Sequence, residues 1–583
     1  MRIYTLSFLL FWFSAITCAQ TITGSITSNN EPVPFASVIV VETGQGTASD
    51  EQGNFSIILK NDTPVTLKIS AIGYKTILKK RSTAGSDLLI VLESQYDTLE
   101  ETVVTGTLKS VLRSESPVPV EVYTPKFLQQ NPTATLFEAM QNVNGVRPQI
   151  NCNVCNTGDI HINGLEGPYT LVLIDGMPLV SGLGSVYGLQ GIPNALIEQV
   201  EIIKGPASSL YGSEAVGGLI NVITKSAAFS PLLFAESMTN SYGETNLDLG
   251  TKFTLGKKAT ALVGGNFFWY DTPVDNNDDN FTDVTLQKRA SLFQKWNFNR
   301  KEDRILEVAG RLFFEERWGG EMQWTKANRG GDDVYGESIY TRRWEVTTKY
   351  QLPLEERILF TGSFNQHHQN SAYGTILYTA DQHIGFGQLT WEPTWENQNA
   401  LFGTALRYNY YSDNTPATLT SDYTTISSIF AQNEFKLNNS NQLLLGARWD
   451  YNSRHGSIFT PRLAYRLKLG DNSLFRLNTG TGFRVVNLFT EDHAAISGAR
   501  EVVITEALRP EKSININANV VQKWYLNNGT FIRADINAFY THFSNAILPD
   551  YDTNPNQIIY DNLDGKSVSK GISATIDANF PFG

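Results

Sequence analysis

The chain is short of cysteine. It has three among 583 residues: Cys18, Cys152 and Cys155. Cys18 lies in an N-terminal export signal, and the two that remain cannot staple an exported chain of this size into a disulfide scaffold. Positive charge is also in deficit. With 46 basic and 58 acidic side chains the net charge is −12, which argues against a nucleic-acid partner. After the first twenty residues no apolar run is long enough for a membrane-spanning helix. No HExxH or related zinc-peptidase constellation occurs. What the chain has instead is aromatic residues, 11% of the total against only 18% charged, together with 46 glycines. That balance fits a large β protein, and the length exceeds one ordinary domain.

Residues 1–19 read as a secretory signal. Arg2 gives the positive start, "FLLFWFSAI" the apolar stretch, and Thr17-Cys18-Ala19 a cut before Gln20. A lipoprotein reading would lipidate Cys18, but its neighbours match such a site poorly. Residues 20–94 carry closely spaced strand signals broken by turns at Asn29-Asn30, Gly44 to Gly46 and Asp50 to Gly53, which suggests a small β-sandwich. Residues 95–110 form a linker, "TLEETVVTGTLKS", with one short strand over Glu101, Thr102, Val103, Val104, Thr105 and Gly106. It is either an edge strand of the next domain or a strand that a partner protein pairs with through its backbone.

Residues 111–228 read as an α/β unit. "TATLFEAMQNVNGV" puts Leu136, Ala139, Met140 and Val143 on one helical stripe. "YTLVLIDGMPLV" is a buried strand turning at Asp175-Gly176. "IIKGPASSLYGSEAVGGLINVITK", Ile202 to Lys225, looks at first like a phosphate loop, but Lys204 precedes the glycines where a P-loop places its lysine after them. It reads instead as strand, turn at Gly205-Pro206, about two helical turns holding Tyr211 and broken by Gly212, and a strand opened by Gly217-Gly218. From 232 to 583 the pattern becomes strands of about ten residues that alternate apolar and polar. Examples are "LFGTALRYNYY" and "NQLLLGARWDY", between polar loops such as "DTPVDNNDDNFTD".

In this order the motifs resemble the TonB-dependent outer-membrane receptors of Bacteroidetes type. "PVPFASVIV", "SDEQGNF" and "SAIGY" resemble the carboxypeptidase regulatory-like domain at the front of many of them. "LEETVVTGT" resembles the TonB box, "LVLIDGMPLV" and the 202–225 stretch resemble the plug, and "ALRPEKSININANV" resembles a barrel segment. The implied fold is mainly β: a small β-sandwich, then an α/β plug inside a transmembrane antiparallel β-barrel. Asp175, Gly176, Lys204, Gly205, Pro206, Tyr211, Gly212, Gly217 and Gly218 are its plug signature. Many plugs carry Ile-Arg-Gly where this chain has Ile162-Asn163-Gly164, so the charge lock between plug and wall is expected to differ. Glu201 and Lys204 are candidates for plug-to-wall pairing. Large plugged barrels close with about 22 strands, whereas residues 232–583 hold roughly 15 or 16 at about 22 residues each. The barrel is therefore expected to be C-terminally incomplete.

The implied activity is energised import across the outer membrane, with no bond made or broken and no cofactor. A scarce ligand binds the outer loops and plug, the TonB box is released, and TonB with its inner-membrane energising complex pulls on it. The expected partners are TonB, outer-membrane lipid and a small-molecule or metal-chelate ligand: a ferric siderophore, haem, cobalamin or copper complex. The alternative is a SusC-like importer of glycans or peptides, whose plugs tend to read Lys-Asp-Ala where this chain has Lys204-Gly205-Pro206. A passive porin or adhesin would have no use for a TonB box or plug. In "NCNVCNTGDIH", Cys152, Cys155 and His161 could contact a soft metal, but four ligands make a structural zinc site. A disulfide between Cys152 and Cys155 is the plainer expectation in an oxidising compartment, and free thiols remain open. The loop would present Asn151, Asn153 and Asn156 to the ligand.

Overall fold

The structure is a computed structural model. It describes residues 20–580 apart from 29–30, 44, 60–64, 72–73, 75–76, 82–87, 93–100, 153, 155, 181, 185–187, 228–229, 394, 396–397, 416–417, 419, 487–499 and 527–529. The signal segment 1–19 lies outside the described residues. The rest divides into a front unit and a larger unit beginning at Glu101.

The front unit is a β-sandwich. In one sheet Gln20–Ser28 pairs antiparallel with Glu31–Pro32 and Asn54–Leu59 and parallel with Leu88–Val91. The other runs Gly46–Ala48, Ser37–Val40, Val65–Ser70, Ile77–Arg81. Asn54–Leu59 alternates exposed and buried residues, the period that lets one face of a strand meet a core. Ile22, Ile26, Val38, Val40, Phe55, Leu67 and Ile69 from both sheets share that core.

In the larger unit, residues 101–224 build the plug. Its five-stranded sheet runs Glu121–Tyr123, Ile197–Lys204, Gly218–Thr224, Thr170–Ile174, Met177–Val180. The strand Gly218–Thr224 is buried along nearly its whole length, as a central strand covered on both faces must be. The expected helical stripe folds as Leu136–Ala139 followed by a 3₁₀ turn. Thr135 caps it, accepting the Glu138 N–H at 3.2 Å. Leu136, Met140, Val200, Ile202, Ile220 and Val222 form the plug core.

Among the described residues the wall is one antiparallel sheet of sixteen strands, from Leu233–Thr239 at one edge to Ser567–Asn579 at the other. Its alternation is inverted relative to a water-soluble sheet. In Leu306–Gly320, Leu312 and Phe314 are 46% and 51% exposed, while Arg311 and Glu315 are each 3% exposed. Trp269, Trp344, Trp391, Trp449 and Tyr451 also point outward. Apolar residues outside, polar residues inside and aromatics in the outward band define a transmembrane barrel. At the long-loop end, Glu501–Ile504, Gln557–Asn562 and Ile547–Asp550 form a small separate sheet.

Candidate functional site

The segment from Glu101 to Gly106 is folded against the plug. Thr102 and Val103 pair with Leu112 and Val111, and Glu101 takes an ion pair from Arg113 at 2.8 Å. Val103 is fully buried with Val118, Val120, Leu171, Ile203 and Leu219. The fully buried carboxylate of Glu201 gathers the backbone beyond it. It accepts the Val104 N–H at 3.1 Å and the Thr105 N–H at 2.8 Å, and it also accepts the Thr105 hydroxyl. Gln199 donates to the Thr102 carbonyl at 3.0 Å and to Glu201 at 2.7 Å. Asn221 donates to the Thr105 hydroxyl oxygen and Tyr211 to the Thr105 carbonyl, both at 2.9 Å. Burial, with the Glu201 charge nearby, pushes the Tyr211 phenol pKa up, so it stays a donor. Gly106 allows the close fit, since a Cβ there would stand 2.9 Å from the Ser116 hydroxyl.

The glycine-rich stretch is a clasp. The Gly205 N–H donates to Gly217 O at 3.0 Å and the Ala207 N–H to Ala215 O at 3.1 Å, closing the loop around the Ser208–Tyr211 helix. A Cβ on Gly218 would meet Ile203 O at 2.2 Å, and one on Gly217 would meet Leu165 at 3.0 Å. Pro206 lies against Gly480 of the wall. Gly212, at φ +80°, sits beside Arg448, whose guanidinium donates to Leu210 O at 2.9 Å.

The expectation of wall partners for Glu201 and Lys204 gives way to partners inside the plug. Lys204 donates to Glu121 at 2.6 Å and to Asn144 O; only its carbonyl reaches the wall, accepting from Asn517 at 2.5 Å. Among the described residues, plug-to-wall ion pairs lie elsewhere, with the plug supplying the acid in two of them. Asp175 pairs with Lys295 at 3.1 Å and Glu214 with Arg407 at 3.2 Å. Burial would raise the Asp175 carboxyl pKa, but Lys295, Lys349 and two donors from Thr224 outweigh it and hold it below the ordinary value. Gly176 donates its N–H to Asn221 at 2.9 Å. Asn163 stands in the plug-arginine position; its carbonyl accepts from the wall's Ser569 at 2.9 Å, while its N–H donates to Gly145 O within the plug at 3.2 Å. The wall carboxylate Glu511 instead takes the Tyr169 hydroxyl at 2.8 Å and the wall's own Arg484.

The cysteine loop joins the strands Val146–Cys152 and Thr157–Ile162. Asn153, Cys155 and the Cys152 side chain lie outside the described residues. Asn151 is exposed, and Asn156 gives its carbonyl to Arg317 at 2.5 Å. His161 hydrogen-bonds Asp159 at 2.9 Å. Among the described residues no three His, Cys, Asp or Glu side chains gather as metal ligands.

A folded plug held inside a barrel with an apolar exterior defines a gated outer-membrane transport protein. The comparisons with known proteins agree. The family model for the TonB-dependent receptor plug domain matches residues 113–219, the TonB-dependent receptor-like β-barrel matches 227–583, and a carboxypeptidase regulatory-like domain matches 22–104. The chain belongs to the TonB-dependent receptors of the outer membrane. An "iron-regulated outer membrane virulence protein" of Vibrio cholerae serotype O1 is 25% identical over 468 residues, covering 77% of this chain and 69% of that protein. The siderophore receptor PirA from Acinetobacter baumannii shares the fold at a TM-score of 0.59 and 16% identity, covering 80% of this chain and 78% of that one. A ferric enterobactin receptor mutant from Pseudomonas aeruginosa does so at 0.62 and 16%, covering 82% and 79%.

Proposed function

We propose that the protein imports a metal chelate, of the iron–siderophore class, across the outer membrane, and that Glu101 to Gly106 is the TonB box. The observation that carries this reading is the Glu201 clamp on Val104 and Thr105. A short β-branched segment is stowed by a few hydrogen bonds that it can exchange for pairing with an incoming strand. Hydrogen bonds to a charged group are worth about 1.5–3 kcal/mol each. Moving a two-state equilibrium from 1:99 to 99:1 takes about 5.5 kcal/mol, so ligand binding can open such a latch. The ligand class is supported by the iron-regulated and siderophore-receptor relatives. No bond is made or broken in this cycle.

The experiment is uptake of radioactive iron by cells carrying the protein, offered as catecholate and hydroxamate chelates, with and without functional TonB. TonB-dependent uptake of an iron chelate is expected, as is induction under iron limitation. Uptake of an oligosaccharide or peptide with no iron chelate taken up would favour the SusC-like alternative.

A further inference from the structure

A small cavity between plug and wall, beside Arg113, is rich in positive charge. Its lining includes Arg113 and Lys204 from the plug and Arg476 and Arg533 from the wall, against two carboxylates, Glu121 and Asp535. Both carboxylates are already engaged. Glu121 accepts from Lys204 at 2.6 Å and from the Tyr123 hydroxyl at 2.7 Å. Asp535 accepts from Arg533 at 2.8 Å and from Asn519 at 2.6 Å. Arg476 has no acid of its own. It is 4% exposed, and among the described residues its hydrogen bonds go to neutral oxygens: Ser116 O at 2.9 Å, Arg113 O at 2.7 Å and the Asn519 side-chain oxygen at 3.4 Å. A buried charge without a counter-charge is costly, so buried charges are ordinarily paired.

Two donors on the same lining are idle. Arg533, Asp535 and Asn537 alternate along Phe531–Asn545, so their side chains share one face of that strand. Among the described residues the Arg533 Nε and the Asn537 amide nitrogen are buried without an acceptor, and Asn537 as a whole is 5% exposed. Surplus cations and idle N–H donors around one space call for an acceptor that carries negative charge. The cavity has about 20 Å³ of room, against the roughly 10–15 Å³ that one water requires. That admits a monatomic ion and leaves no room for a phosphate or a carboxylate ligand. We infer that this cavity is a binding site for a small monovalent anion of the chloride type, held by Arg476, Arg533 and Asn537 of the wall and Arg113 of the plug. A water would serve the donors but leave the charge uncompensated. The anion ties plug to wall at the root of the 101–106 segment, because Arg476 also holds the backbone of Arg113 and Ser116, and Arg113 carries the ion pair to Glu101. The site does not depend on which ligand is imported.

The test uses the full-length protein purified in detergent and moved between sodium chloride and sodium isethionate at equal ionic strength. Isethionate is too bulky for the cavity, and equal ionic strength holds screening constant. A ligand that binds only the folded state raises the thermal midpoint with its concentration. The midpoint is expected to rise with chloride and to level off. Asn537→Ala keeps the arginines and removes one donor to a charged acceptor, so it is expected to need at least about tenfold more chloride for the same rise. No rise in the wild type, or the same chloride dependence in Asn537→Ala, overturns the site. If Asn537→Ala does not yield a heat-modifiable barrel, Arg533→Lys decides the matter by the same shift, since it keeps the charge and loses the Nε donor. Wild-type crystals grown in bromide are expected to show an anomalous peak within reach of Arg533 Nε and Asn537 Nδ2. A peak there without any chloride effect on the midpoint means an adventitious ion only, and an empty anomalous map at the cavity means water; either result overturns the inference.

Discussion

Glu201 is joined to Thr105 twice through one carboxylate oxygen, which accepts the Thr105 N–H at 2.8 Å and the Thr105 hydroxyl as well. The residues are 96 positions apart, and the contact ties the linker before the plug to the strand that leads into its glycine-rich clasp. Every substitution that loosens it should shift the resting protein toward an exposed linker.

Glu201→Gln is the mildest such change. It keeps the shape but replaces one acceptor oxygen with a donor where backbone and side-chain donors converge. Loss of about 1.4 kcal/mol of latch stability corresponds to tenfold in the exposed population. Capture of the ligand-free variant by the TonB periplasmic domain should therefore rise about tenfold, with the barrel still heat-modifiable. Unchanged capture would mean that Glu201 does not hold the latch.

Asp175→Asn probes the plug-to-wall pair. Removing one partner of a buried ion pair costs about 3–5 kcal/mol; Glu307 also lies within 3.5 Å of Lys295, which favours the lower end. The Asp175 carboxyl is held below its ordinary 3.8. A depressed carboxyl contributes its full stability above the ordinary value and loses it as pH falls through the depressed one. The gap in thermal midpoint between wild type and variant should be widest at neutral pH and shrink below about pH 4. A gap that persists in acid would show that the charge is not what matters.

Two glycines separate contact from conformation. Gly218→Ala drives a Cβ to 2.2 Å from a backbone oxygen in the middle of the plug sheet, and it should leave the plug open to protease. Gly176 has open space around its Cβ but a φ of +79°. Gly176→Ala should cost only about 1–2 kcal/mol and keep the plug protected. Equal protease sensitivity of the two variants would contradict this distinction.

For Cys152 and Cys155 the expectation remains a disulfide. Intact mass with and without reductant should differ by the hydrogens of one disulfide. Thiols that alkylate freely without reductant, and become protected only when copper or zinc is added, would replace the disulfide with a metal contact.

Much of the fold is legible in the chain because strand periodicity is local. Alternation in "LFGTALRYNYY" fixes which residues face out without knowledge of any neighbour, and Phe402 and Leu406 do face out. The clasp at 202–225 is legible because Gly217 and Gly218 sit where a side chain cannot. The electrostatics were not legible. Glu201 and Lys204 read as wall contacts because a charge beside a turn carries no sign of its partner. That partner depends on which distant segment packs there, Thr105 in one case and Glu121 in the other. The wall arginines on plug carbonyls were missed for the same reason: Arg448 and Leu210 are 238 residues apart, and a carbonyl has no sequence signature.

The role of residues 101–106 is tested most directly by radioactive-iron import through Val103→Pro. Proline at this position removes a backbone donor and cannot complete a paired strand. The variant should bind the imported chelate with wild-type affinity, which also reports an intact plug and barrel, while TonB-dependent import collapses. Import at the wild-type rate by this variant would contradict the assignment of Glu101 to Gly106 as the strand that TonB takes up.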